Sequence, residues 1–140
     1  MNPARLLSLV TASTLLCAAL GVPAIASPVS GSGYSKAYDA CMNATSSTAG
    51  MLDCIARETR SQDARLNANY QAAIKTLAPQ QRTALRDVQR QWMQFRDADC
   101  ALEQGVTGGT VDRINASMCL LQATQVRADT LAVRYQPQAR

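Results

Sequence analysis

The sequence predicts an all-α protein, a small disulfide-stapled helical bundle built on a long antiparallel helix hairpin. Three observations predict it. No segment alternates convincingly with period two, and β-branched clusters are absent. Apolar residues recur instead at three- and four-residue intervals on either side of Pro79. Four cysteines, Cys41, Cys54, Cys100 and Cys119, fall in or at the ends of the helices so predicted.

The 140 residues amount to one domain with an export signal in front of it. Residues 1–26 read as a cleaved signal peptide. Arg5 supplies the positive charge, Leu6 to Val22 the apolar stretch, and Ala24-Ile25-Ala26 the small residues a signal peptidase reads. The stretch is short, interrupted by Thr11, Ser13 and Thr14, and ended by Pro23, which disfavours a membrane span. Lipidation at Cys17 is disfavoured by the bulky Leu16 before it. Cleavage before Ser27 removes Arg5 and Cys17, which lowers the net charge from +4 to +3 and leaves an even set of four cysteines. An even count in a small exported domain reads as two disulfides. A four-cysteine zinc site is disfavoured because no two cysteines have knuckle spacing. A periplasmic or secreted location follows.

Composition removes several functions. There is no His, so no Ser-His-Asp triad, Cys-His pair or His-ligated metal site can be built from this chain. Aromatic residues are 4 % of the chain and basic charge is scattered, which disfavours nucleic-acid binding. No cofactor is implied.

Residues 27–33 form a leader rich in Pro, Gly and Ser, and the helical domain is expected over residues 34–135. A first helix spans about Tyr34 to Asn43. A Ser- and Thr-rich turn follows from Ala44 to Ala49, with Thr48 as the expected N-cap of a long second helix. That helix carries Leu52, Ile55, Leu66, Tyr70, Ile74 and Leu77. Pro79 suits the first turn of the third, whose expected stripe is Leu85, Val88, Trp92, Phe95 and Leu102. Gly105, Gly108 and Gly109 break it. Thr110 can cap a fourth helix with Val111, Ile114, Met118, Leu121, Ala128 and Leu131 facing inward.

Almost nothing joins the second and third helices, so they fold back antiparallel. Residues at equal height then have numbers summing to about 158. Cys54 and Cys100 lie at one end, away from Pro79. Pairing neighbours gives Cys41–Cys54 and Cys100–Cys119, closing loops of 14 and 20 residues. Cys54–Cys100 remains open by height. Asp63, Asn67 and Tyr70 share one helical face, as do Trp92 and Arg96. Asp63 falls level with Arg96, which predicts an ion pair within a polar network that sets the hairpin register. Trp92 and Arg96 are one turn apart and suited to stack.

These residues carry a family pattern. The stretches MLDCIARE, DARLNANYQAAIKTL, QRQWMQFRDADCALE and MCLLQATQVRADTL make the chain similar to the LprI-type lysozyme-inhibitor domain, over roughly Tyr38 to Leu131. Trp92, the Arg96-Asp97 pair and Cys100 stand in the family's order, and Asp63, Leu66, Asn67, Tyr70, Cys119, Thr124 and Arg127 fall where the family has them. Ala78 stands where many relatives have an acidic cap. The resemblance implies an exported protein that binds and inhibits lysozyme, without enzymatic activity of its own.

A protein partner needs a surface. The turns Ala44–Gly50 and Gln104–Thr110 lie at the hairpin end away from Pro79 and are small and polar. Gly105, Gly108 and Gly109 belong to the second turn. Arg57 and Arg113 flank the pair and are the nearest cations to a lysozyme's carboxylate-bearing cleft. A chain at +3 gains no long-range steering towards a cationic lysozyme, so only mild salt dependence is expected. An envelope structural or stress-response adaptor using the same surface is the alternative. An enzyme built on Asp97, Asp99 and Glu103 is disfavoured, because no nucleophile or metal set accompanies them. Stable membrane insertion after signal cleavage is not expected.

Overall fold

The computed structural model describes residues 33–135. The signal peptide, nearly all of the leader and the tail at Pro137 lie outside them. The described residues form four helices: α1 Lys36–Asn43, α2 Thr48–Thr76, α3 Pro79–Ala101 and α4 Val111–Tyr135. The first three starts have local causes. Ser35 Oγ accepts the Tyr38 N–H at 3.1 Å to cap α1. Ser47, one residue before the expected cap, accepts the Gly50 N–H at 3.1 Å to cap α2. Pro79 opens α3 as its first residue. Ala78 has no side-chain acceptor to offer there, and Gln81 Oε1 accepts the Ala78 N–H at 3.2 Å.

The hairpin is closed by α4. α2 packs chiefly along α4, and α3 is held by α4 more than by α2. α2 and α4 run parallel: Asn69 Nδ2 donates to Ala128 O at 2.9 Å, and Thr76 Oγ1 to Tyr135 O at 3.1 Å. α3 and α4 run antiparallel: Arg127 Nε donates to Gln89 Oε1 at 2.9 Å, and Arg96 Nη1 to Thr124 Oγ1 at 3.3 Å. The disulfides are Cys41–Cys54 and Cys100–Cys119, with Cα separations of 5.8 and 5.5 Å. Each ties an outer helix to α2 or α4, as the spacing predicts.

Two apolar cores stack along this axis. Near Pro79, Leu66, Ala73, Leu85, Ala128 and Leu131 are buried, with Tyr70, Trp92 and Tyr135 against them. Near the disulfides, Tyr38, Cys54, Ile55 and Leu121 are buried, with Tyr34, Ile114 and Met118 against them. Between them lies a polar waist of buried Glu58, Gln62 and Thr124. Glu58 Oε2 accepts from Ser35 Oγ at 2.6 Å, and Glu58 Oε1 from Gln62 Nε2 at 2.7 Å and from the Ser35 N–H at 3.2 Å. Burial works to raise the Glu58 pKa, but the Ser35 and Gln62 bonds and the charge of Arg65 outweigh it and hold the carboxyl below its usual range.

The third helix is rotated relative to its expected stripe. Val88, Phe95 and Leu102 are exposed, and the inward side is Leu85, Gln89, Trp92, Arg96 and Cys100. Gln89 and Arg96 can face inward because α4 supplies Arg127 and Thr124 as partners. Val111 of α4, expected inside, is also exposed.

Charge is segregated along the axis. Asp63, Arg96 and Thr124 line one depression and mark a common level. Above it, towards the disulfides, the cations Lys36, Arg57, Arg60 and Arg113 face seven carboxylates: Asp39, Asp53, Glu58, Asp97, Asp99, Glu103 and Asp112. That half carries −3. From that level down, eight cations among the described residues stand against Asp63, Asp87 and Asp129, a net of +5. The modest overall charge conceals this division.

Candidate partner-binding site

Because α2 and α4 run parallel, the turn before α2 and the loop before α4 emerge at the same end. The first is tight. Gly50 is packed against Thr45, whose Oγ1 occupies the space a Cβ would need. Thr45 Oγ1 also accepts the Ser47 N–H at 3.3 Å.

The second is organised by one carboxylate that the sequence pattern does not reveal. Asp112 is buried in the first turn of α4. Its oxygens accept the Thr107 hydroxyl at 2.7 Å and the N–H groups of Gly108 at 2.9 Å, Thr107 at 3.1 Å and Gly105 at 3.2 Å. The Thr107 hydroxyl above all, and then these N–H groups, hold Asp112 below the usual carboxylate range, against the opposing effect of burial. Gly105 and Gly108 adopt φ of +103° and +73°, which lets successive amides turn inward on the carboxylate. With the polar backbone turned in, apolar side chains are turned out. Leu102 is 74 % exposed and Val106 68 %.

The flanking arginines differ. Arg57 pairs with Asp53 at 3.0 Å and lies against the Cys41 sulfur. Arg113 is exposed, lines a shallow depression with Gly105, Gly108 and Gly109, and has no ion-pair partner among the described residues.

The expected Asp63–Arg96 ion pair does not form. The two share a level, but Asp63 is exposed and Arg96 turns to Asp97, with Nη2 at 2.7 Å from Oδ1, and to Thr124. Height along a hairpin fixes level, not azimuth, and an adjacent carboxylate is nearer. Arg96 stacks on Trp92 at 5.0 Å as predicted, and Arg127 lies over the same ring at 5.6 Å. Burial pulls the Arg127 pKa down. Asn67 and Tyr70 are not joined to this cluster. They line a separate depression between α2 and α3, with Arg86, Arg90 and Met93. Asp99 and Glu103 line a trough on the α3–α4 side with Trp92 and Arg127.

A family described as "Lysozyme inhibitor LprI" matches residues 41–131, the span that holds the four disulfide-bonded cysteines, both turns and the Trp92 cluster. The chain belongs to the LprI family. That family is one of inhibitors rather than enzymes. No curated protein and no solved structure matches the chain. In this LprI domain, then, the residues of the resemblance divide between framework and surface. Trp92, Arg96, Thr124 and Arg127 interlock α3 with α4, whereas Asp63 and Asn67 face solvent.

Proposed function

We propose that this LprI-family protein is exported to the cell envelope, where it binds and inhibits a lysozyme through the end pinned by its disulfides. The observation that supports this most is the Gln104–Thr110 loop. Asp112 fixes it from within while Leu102 and Val106 stand in solvent beside Asp99 and Glu103. An ordered loop with exposed apolar side chains and a charged rim suits protein recognition, because little conformational freedom is left to lose on binding.

The charge division changes the expected electrostatics. Common lysozymes are cationic, and the −3 half of this molecule faces such a partner favourably although the whole chain is positive. Association should therefore slow clearly as salt rises, where net charge alone predicts a mild dependence. Arg113, exposed beside the loop and without an ion-pair partner among the described residues, is suited to a cleft carboxylate.

The test is a cell-wall lysis assay in which a panel of lysozymes is titrated with the protein. Inhibition should weaken by roughly tenfold or more on Val106→Asp, which places charge in an apolar contact. Asp112→Asn, which loosens the loop, should also weaken it, by roughly tenfold. No inhibition at tens of micromolar, about −6 kcal/mol of binding, would refute the reading for that panel. Inhibition that survives both changes but is lost on altering Lys75 and Arg82 would put the contact at the opposite end.

A further inference from the structure

The lower half of the molecule takes no part in that contact, and it carries the opposite charge. Arg82, Arg86 and Arg90 recur every four residues along α3, on one side of the helix. Lys75 at the end of α2 and Arg134 at the end of α4 belong to the same end, since Thr76 bonds Tyr135 there. Lys75, Arg86, Arg90 and Arg134 are exposed, and only Arg90 of these has an ion-pair partner among the described residues, Asp87. Such a cluster, with few carboxylates beside it, repels itself.

We infer that this basic end is a docking surface for an anionic phospholipid bilayer, on which the protein stands with its disulfide end pointing away. The sign of the charge selects an anionic partner. The arrangement selects a flat one: Lys75, Arg82 and Arg134 stand around the tip of the bundle, at the ends of three helices, and Arg86 and Arg90 continue from it along α3. A polymer such as nucleic acid is tracked by a stripe or groove, whereas a plane is met by an end. The other half, at −3, is repelled by the same surface, so only one orientation is favoured. α2 has 29 residues and is therefore about 43 Å long. That length holds the acidic end several screening lengths from the lipid, free to meet a soluble partner. The attachment is peripheral, because no described helix is long and apolar enough to cross a membrane.

The test needs no lysozyme, so it succeeds or fails independently of the inhibitor reading. Protein recovered after export is mixed with vesicles of phosphatidylcholine alone or of phosphatidylcholine with phosphatidylglycerol, and sedimented. Partition into the anionic vesicles only, weakening as salt is added, is the expected result. The exposed-residue variant Lys75→Gln, Arg86→Gln, Arg134→Gln should bind about a hundredfold less, at about fivefold per charge. Its circular dichroism and melting should match the parent, which separates lost binding from lost folding. Arg57→Gln with Arg113→Gln, at the far end, should bind the vesicles like the parent. Equal partition into both vesicle types, or unchanged binding by the triple variant, would overturn the proposal. So would retention on a soluble polyanion such as heparin without any binding to the anionic vesicles.

Discussion

The two halves of this LprI domain solve the same packing problem by different means. The half near Pro79 is held by apolar burial: Leu66, Ala73, Leu85, Ala128 and Leu131 close around one another without a covalent link. The half near the disulfides has a smaller core of Tyr38, Cys54, Ile55 and Leu121, and both Cys–Cys bonds lie there. Staples appear where core is scarce, as expected for a domain of this size. The stapled half also carries the ordered loop and the net negative charge. It can expose Leu102 and Val106 because its framework does not depend on burying them.

The contrast is broken most directly in the unstapled core. Leu131 is fully buried there. Leu131→Ala should cost about 2–5 kcal/mol, read by chemical denaturation, because the surrounding helices cannot collapse into the cavity. A loss below about 1 kcal/mol would show that this half does not rest on apolar packing.

Removing Cys100–Cys119 through paired Ser substitutions should cost about 3 kcal/mol, for the loop of 20 residues that it closes. Hydrogen exchange should locate the damage. Amides of the Gln104–Thr110 loop and the first turns of α4 should lose protection, while those around Leu131 keep theirs. Uniform loss over both halves would mean that they open as one unit.

Much of this division was legible in the sequence, and its limits are physical. The helix ends favoured the observed pairing of the cysteines over Cys54–Cys100, which height alone left open. The Trp92–Arg96 stack followed from i,i+4 spacing on one helix, where position determines neighbour. The inward side of α3 did not follow. A stripe of Leu85, Val88, Trp92 and Phe95 looks convincing alone, yet Gln89 and Arg96 displaced Val88 and Phe95 once Arg127 and Thr124 were available across the interface. A partner on another helix is invisible to periodicity. Asp112 was missed for a related reason. An acid in the first turn of a helix reads as ordinary dipole compensation, and the turned-in amides that it gathers exist only in the folded loop. Charge segregation was hidden by summing over the whole chain.

Glu58 tests the waist that joins the two halves. Its pKa is lowered in the folded protein, so its contribution is complete above the ordinary Glu range and is lost as pH falls through the lowered value. Glu58→Gln keeps the shape but sets an amide against the Gln62 Nε2 donor. It should cost about 1.5–3 kcal/mol at neutral pH, with less difference from the parent in acid. Denaturation midpoints over a pH series measure this. A difference that does not shrink on acidification would mean that the Glu58 charge is not what the waist recognises.

The smallest effect expected is the most informative about the level between the halves. Sequence position places Asp63 opposite Arg96, and a buried pair there would make Asp63→Ala cost about 3 kcal/mol or more by stranding the guanidinium. The folded chain distributes the guanidinium differently. Asp97 takes Nε at 2.9 Å and Nη2 at 2.7 Å, Thr124 takes Nη1, and the Trp92 ring lies beneath. Asp63 is exposed and leaves nothing stranded when removed. Asp63→Ala should therefore change stability by no more than about 0.5 kcal/mol. Arg96→Ala should cost about 1–2 kcal/mol, because it removes a charge-assisted hydrogen bond and a cation–π stack at once. A double-mutant cycle between the two positions should show additivity within about 0.5 kcal/mol. Strong coupling would restore the ion pair and make the level between the halves a clasp between α2 and α3. Additivity would leave α4 as the element that holds the two halves on one axis.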